Sequence, residues 1–386
     1  MKRTVLAAAL CSVLAAAGCG SGSGSSSDSI LLGAIAGTTG AYGSTGQAVF
    51  NATKMAVAEI NAKGGIDGKK VVFEGYDDGA SATTSSQLFN KLLSKGAVAI
   101  VGSPDTGPTT ASLADQKKIP VLGAVDDGGL TIYPDGPDKD PHAWAFSTSL
   151  NTFAWGGALA DYAIKNCQKL AIVHDPSDYG KGGRAGFEQE YEKQGKKIDL
   201  ISAVTENWST GATVGLKSEI EKIRSAGIDC VDVWLTPQDQ ASFMQEANAL
   251  GAKFTVLGND ETSADATFGD LAKTQGDGMV SALLTTDVTP SPRLAKFQAD
   301  YKAKYGVAST PFAELSYDAV YILKQAIEAG KSTKPQAIRD QLNKITDFDG
   351  LTGKLTFTEK QHTTINADQL TVVKFDAKSK AWVPAA

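Results

Sequence analysis

Short apolar runs alternate along most of the chain with longer stretches of helical period. Ser29–Ile35 reads as a strand, and Gly37 to Gly43 as a glycine-rich turn. A helix follows from Thr45 to Lys63, with Val49, Thr53, Ala56 and Ile60 on one side, and Gly64-Gly65 stops it. Lys70–Tyr76 is the next strand, Ser81–Lys95 a helix with Leu88, Leu92 and Leu93 on its apolar face, Val98–Gly102 a strand, Thr109–Lys118 a helix and Pro120–Val125 a strand. The alternation then restarts: helices at Phe153–Asn166, Gly180–Gly195, Thr213–Ala226 and Asp239–Leu250 interleave with strands at Lys169–His174, Asp199–Val204, Cys230–Leu235 and Phe254–Leu257. Helices at Pro292–Tyr305, Ala313–Ala329 and Lys334–Lys344 come next, and strand-like runs at Gly353–Thr358, Asp368–Asp376 and Ala381–Val383 end the chain. Strands alternating with helices of this length imply parallel sheets covered on both faces. The restart implies two successive α/β units. In such sheets ligands bind beyond the carboxyl ends of the strands. The loops to inspect are therefore those at Gly37–Gly43, Gly102–Gly107, Ala124–Gly129, Asp175–Gly180, Thr236–Gln238 and Asn259–Thr262.

The first residues follow a different rule. Lys2 and Arg3 precede an apolar run from Val5 to Ala17, broken only by Ser12. A cationic start, a short apolar core and small residues describe a secretory signal. The run is too short to span a bilayer, which needs about 20 residues. Ala16-Ala17-Gly18-Cys19 resembles the bacterial lipobox, with the nearest leucine at Leu14 rather than in place of Ala16. The reading is a signal peptide over residues 1–18 and a lipid on Cys19; the alternative is an ordinary signal with Cys19 incidental. Gly20 to Ser29 is nearly all Gly and Ser, a composition that behaves as a flexible tether.

Composition narrows the classes. The 386 residues carry a net charge of −6, which argues against nucleic acid as a partner. No later segment is apolar for long enough to cross a membrane. Of four cysteines, Cys11 leaves with the signal and Cys19 takes the lipid. Cys167 and Cys230 remain, each just before or at the start of a strand. Were those strands parallel neighbours, the two thiols would lie close enough for a disulfide in an oxidising compartment; otherwise they are buried free thiols. Reaction centres are hard to find. Pro108 stands where a phosphate loop needs lysine, no nucleophile elbow occurs, and His142, His174 and His362 are scattered without zinc spacing. Asp77-Asp78 and Asp126-Asp127 are adjacent pairs, which on extended backbone point to opposite faces. No enzyme activity, cofactor or metal is expected.

Several segments resemble a known family. Ile60-Asn-Ala-Lys-Gly-Gly-Ile-Asp-Gly68 followed by Tyr76-Asp-Asp, then Ala171-Ile-Val-His-Asp175 with Tyr179-Gly180, then Ala247 to Gly251 with Gly258-Asn-Asp260, resemble type I periplasmic solute-binding proteins of the branched-chain amino-acid, amide and urea group. The resemblance implies two Rossmann-like lobes joined by a three-segment hinge, with a ligand cleft between them. It places lobe 1 at residues 30–147 plus 286–354 and lobe 2 at 148–285 plus 355–386, after a tether at 19–29. It implies a monomer, held at the outer face of the cell membrane through its lipid alone. Hinge closure on a small-molecule ligand would deliver that ligand to ABC permease subunits. By the same resemblance Tyr42 covers the ligand and Thr106 holds its carboxylate. The Ala124 carbonyl accepts from its α-ammonium, and Tyr179 approaches from the other lobe. Thr236 stands where a tyrosine often lies, and Asp260 pairs with the α-ammonium. Tyr42 and Tyr179 could equally pack turns, and Thr106 could cap the helix that follows it.

Asp126 departs from the pattern, because amino-acid binders place a threonine there. Two like charges at about 4 Å cost on the order of 1 kcal/mol in water and several in a partly dry cleft. Either Asp126 points away, or the solute is cationic, amide-like or hydroxyl-rich. Trp234 and Phe153 could wall such a site, though Trp234 fits the core equally well. Two other functions fit the same residues: a sensory lipoprotein of the same fold signalling to a membrane receptor, and an envelope enzyme or activator of wall synthesis.

Overall fold

The computed structural model describes residues 29–39, 43–102, 106–123, 128–149, 151–207, 212–264 and 268–385. The first α/β unit runs β1 (Ser29–Ala36), α1 (Gly43–Ala62), β2 (Lys70–Asp77), α2 (Ala82–Ser94), β3 (Ala99–Val101), α3 (Gly107–Lys117), β4 (Val121–Gly123) and β5 (Ala145–Ser147). Its sheet has the order β2-β1-β3-β4-β5, and every pairing is parallel.

The second unit runs α4 (Thr152–Asn166), β6 (Leu170–His174), α5 (Asp178–Lys193), β7 (Leu200–Ala203), a hairpin of β8 (Thr205–Asn207) and β9 (Ala212–Val214), α6 (Leu216–Ser225), β10 (Cys230–Trp234), α7 (Pro237–Ala249), β11 (Thr255–Gly258), α8 (Asp260–Ala264), α9 (Phe268–Ala272) and β12 (Val280–Leu284). The remainder comprises α10 (Thr285–Val288), α11 (Pro292–Tyr305), α12 (Pro311–Gly330), α13 (Pro335–Leu342), the pair β13 (Phe348–Asp349) and β14 (Lys354–Leu355), then β15 (Leu370–Asp376) and β16 (Ala381–Pro384). The second sheet has the order β16-β15-β12-β11-β10-β6-β7, parallel from β12 to β7 and antiparallel at β15 and β16.

Both sheets are buried on two faces, and the alternation of side chains shows how. In β3, Ile100 faces the core with Phe89, Leu92 and Ala111 of α2 and α3. Its neighbours Ala99 and Val101 face the opposite core with residues of α1 and α12. In β10, Val231 and Val233 pack with Ile220 and Phe243 from α6 and α7, while Cys230 and Trp234 join Trp155 and Phe187 from α4 and α5. Burial on both faces is what makes these strands continuous apolar runs.

Two glycines set the spacing of α4, α5 and β10. A Cβ on Gly183 would lie 2.0 Å from the Trp234 ring, and one on Gly186 would lie 2.4 Å from the Phe153 carbonyl oxygen. Only hydrogen fits at either contact. The disulfide expectation is realised: Cys167, ending α4, bridges Cys230, the first residue of β10. The strands that follow them, β6 and β10, are parallel neighbours with Leu170 opposite Cys230.

Some expected elements change. Helix α6 begins at Leu216, three residues later than the pattern suggests, because Gly215 at its N-cap has φ 88° and Ala212–Val214 pairs in the hairpin. The expected strand at Gly353–Thr358 shrinks to Lys354–Leu355, with Gly353 at φ 120°. Strands β5 and β12 lack a sequence-level counterpart.

The chain passes between the sheets three times: after Ser147, after Leu284 and between Leu355 and Leu370. The first and third passages lie side by side. Ser147 N donates to His362 O at 2.8 Å and Thr364 N to Ser147 O at 3.2 Å. The second lies beside the start of β15, where Leu284 pairs with Leu370.

Candidate functional site

The strand-end loops of the two sheets meet. A cavity of about 130 Å3 has Pro108, Ser112, Leu130, Thr131 and His142 from the first unit on its wall, together with Asp178 at the start of α5 in the second. Nearby, Gln189 Nε2 of α5 donates to Asp138 Oδ2 of the first unit at 2.6 Å. The carboxyl ends of β3 and β6 therefore border a common space.

Thr106 sits at the N-cap position of α3, yet its side chain makes no capping bond. Its buried hydroxyl donates to Asp78 Oδ2 at 2.8 Å and lies 2.8 Å from Ser85 Oγ. Asp78 is held in turn by the Ala80 N–H. Its neighbour Asp77 faces the other way, accepting from Thr38 N, Thr39 Oγ1 and Gly79 N. For Asp77 and Asp78 the structure contains the opposite facing expected of adjacent residues, while Asp126-Asp127 lies outside the described residues. The three accepted hydrogen bonds outweigh desolvation and hold the Asp77 carboxyl below its usual range.

In the second unit Tyr179 opens the first turn of α5, whose N-cap Ser177 accepts from Gly180 N. Asp260 opens α8 just past β11. The two meet: Tyr179 Oη donates to Asp260 Oδ1 at 2.6 Å. Asp260 is buried, and desolvation raises its carboxyl to about 6 against the opposing hydrogen bond from Tyr179. Burial, together with the Asp260 charge, pushes the Tyr179 phenol well above its ordinary value. The tyrosine ring stands edge-on to Trp234, centroids 5.5 Å apart. Trp234 itself is core: fully buried, with its indole N–H donating to Asp232 Oδ2 at 2.8 Å.

Thr236 caps α7, accepting from Asp239 N at 3.2 Å. His174 is buried against the Asp175 carbonyl at 2.5 Å, and desolvation lowers its pKa. It is a locally satisfied histidine. Tyr42, Ala124 and Asp126 lie outside the described residues, as does Cys19. Of the expected set, the structure thus brings Tyr179 and Asp260 into contact. It places Thr106 in the other unit, at the N-cap of α3 and bonded to Asp78, and it assigns Thr236 a capping bond.

Residues the sequence reading missed hold these loops in place. Asn259 Nδ2 donates to Leu235 O at 2.7 Å while its Oδ1 accepts from Thr262 N at 2.9 Å, tying the ends of β10 and β11 together. Buried Asp175 accepts from Ser177 N and Oγ at the end of β6. Among the described residues no group of His, Cys, Asp and Glu could hold a metal, and no helix is long and apolar enough to cross a membrane.

The family model for periplasmic binding proteins matches residues 29–380. A Leu/Ile/Val-binding protein of Rhizobium johnstonii, BraC3, is 28% identical over 338 residues, covering 86% of this chain and 88% of its own. Among solved structures, a type 1 periplasmic binding protein from Bordetella pertussis aligns with a TM-score of 0.80 at 22% identity, over 92% of this chain and 99% of that one. LivJ from Streptococcus pneumoniae, a branched-chain amino-acid transporter substrate-binding protein solved with isoleucine, aligns at 0.74 and 21%, over 92% of this chain and all of that one. The fold is that of type I periplasmic binding proteins, and the relatives carry the names of binding proteins, not enzymes. With the match running from the first strand nearly to the last, this chain belongs to the periplasmic binding protein family.

Proposed function

We propose that this protein is the solute receptor of an ABC importer, capturing a small amino acid, amide or related compound between its two lobes. The Tyr179–Asp260 pair carries this reading. A buried carboxylate, oriented by a phenol beyond the carboxyl ends of parallel strands, suits a ligand ammonium or amide N–H. Thr106, with Asp78 behind it, would face the opposite end of the solute, joined by Tyr42 and Ala124. The names of the relatives favour branched-chain amino acids as the first solutes to try. Asp126 favours a solute with less negative charge at that end.

Closure would bend the three passages between sheets, with the lobes divided at residues 147–148, 285–286 and 354–355. Cys19 would carry the lipid that holds the receptor at the outer face of the membrane. The test is a thermal-shift screen over Leu, Ile and Val, then amides, polyamines and polyols. A true ligand at 100 times its dissociation constant adds about 2.7 kcal/mol of stability. Wild type that shifts with none of these, or an Asp260→Asn variant that shifts as wild type does, would sink the reading. Asp126→Thr in the same screen tests the specificity argument: it should improve binding of a carboxylate-bearing solute.

A further inference from the structure

The end of the first sheet opposite the strand-end loops is basic. Helices α1, α2 and α3 each run from the carboxyl end of one parallel strand to the start of the next, so their C-termini gather at the amino ends of the strands. Helix α12 descends to the same end. Its Ala319 lies against Gly123, the last residue of β4, and Arg339 beyond it bonds the Ala143 carbonyl at 2.9 Å, just ahead of β5. Strand β1 starts there too, with Ser29 paired beside Lys70.

The turns at this end are rich in exposed lysine. Lys63, Lys69 and Lys70 flank the turn from α1 to β2, Lys117 and Lys118 end α3, and Lys331 and Lys334 lie between α12 and α13. Asp67 is the one carboxylate in these turns. Nearby Lys95, Lys324 and Arg339 are held by Glu74, Glu328 and Asp340, and Asp115 by His142 and the Trp144 N–H. Helix dipoles account for lysines in a last turn. They do not account for Lys69 and Lys70, which lie outside helices, and they oppose Lys334, the N-cap residue of α13. Lys118 and Lys331 cap their helices in left-handed backbone, φ 55° and 46°, where glycine is the favoured residue. Composition is no explanation either, since the whole chain carries −6. At the matching end of the second sheet, Lys165, Lys193, Lys196 and Lys197 stand among Glu190, Glu192, Asp199 and Asp229.

We infer that this end of the first unit is a docking face for an anionic phospholipid bilayer. Lysines beside a negatively charged membrane surface add their attraction to whatever a lipid chain supplies. Ser29 follows Cys19 by ten positions, about 17 Å for a Gly/Ser chain. The lysine end is therefore the part of the fold nearest an anchored Cys19. With it docked, the carboxyl ends of the strands, and the space they share with α5, point away from the bilayer toward incoming solute. That posture rests on the lipid reading above; the affinity of the face for anionic lipid does not.

The test uses the mature chain carrying Cys19→Ala, which takes no lipid. It is sedimented with vesicles of phosphatidylglycerol mixed with phosphatidylcholine, and with vesicles of phosphatidylcholine alone. Binding to the first and not to the second is expected, weakening as salt rises. Lys69→Gln with Lys70→Gln should weaken it roughly twentyfold, at about fivefold per lysine. Lys196→Gln with Lys197→Gln, the same charge change on the second unit, should leave it unchanged. All four are exposed, so neither pair removes a core contact. Equal sedimentation with both kinds of vesicle, or equal losses from the two lysine pairs, would overturn the inference. The solute screen reports on the cleft, and release of Cys19→Ala from cell membranes reports on the anchor, so a failure of either is distinguishable from a failure here.

Discussion

The phenol of Tyr179 donates to the carboxylate of Asp260 across 2.6 Å, joining the start of α5 to the end of β11. Desolvation leaves that carboxylate titrating at about 6. A ligand ammonium needs it ionised, so binding of such a ligand releases a proton below that value. Affinity should hold steady above pH 7 and weaken as pH falls through about 6, approaching tenfold per unit. Calorimetry across pH 5 to 8 checks this, and Asp260→Asn should flatten the profile.

The Cys167–Cys230 bridge closes a segment with a sequence separation of 63. Loop-closure entropy for that length corresponds to about 4 kcal/mol. Cys230→Ser, or reduction, should lower stability by about 2–4 kcal/mol in urea melts, with little effect on solute affinity. A bridge-free protein as stable as the oxidised one would refute the assignment.

Burial raises Glu314 of α12 to about 7, with the Asp287 charge of the second passage adding to it. Asp287 rises to about 6 and Asp318 to about 7, both through desolvation. Each folded value exceeds its unfolded one, so these groups favour the folded state at low pH. That contribution disappears as pH rises from about 4 through 7. His362 acts oppositely: burial lowers it to about 4, so its contribution is lost as pH falls below 6.5. Comparing variants isolates one term. Glu314→Gln keeps an acceptor for Gln298 and Ser309 and should gain about 2–3 kcal/mol over wild type at pH 8, with the gain gone near pH 4.

Gly186→Ala would push a methyl onto the α4 backbone, and Gly183→Ala one into the Trp234 ring. Each should cost about 1–3 kcal/mol by overpacking. Chemical denaturation measures the loss, and Gly157→Ala, with open space around its Cβ, is the control.

Most of the architecture was legible because its strands are buried on both faces and its helices carry one apolar side. Val49, Thr53, Ala56 and Ile60 are all buried, as their spacing in α1 implies. Strands β5 and β12 escaped because three to five residues give period and length too little room. The start of α6 escaped because Thr213 and Val214 suit either state, and Gly215 decides the matter only through its left-handed backbone. In the site, loop positions could be read but partners could not. Thr106 meets Asp78 across 28 residues, and Tyr179 meets Asp260 across 81. The buried carboxylates of Glu314 and Asp318 were illegible for a further reason. Only the packing of α12 against the passages takes them out of water, and Asp318 then accepts from Leu351 N and Thr352 N.

The placement of β15 bears on how the protein is made. Residues 370–376 insert beside β12, a strand synthesised nearly ninety positions earlier. Until they leave the ribosome, β12 is a bare sheet edge, with Val280, Ala282 and Leu284 beside unpaired backbone groups. An unfinished chain is therefore a template for intermolecular strand addition. A chaperone that holds the polypeptide until β15 has emerged, or export only after that point, would keep that edge from finding the wrong partner.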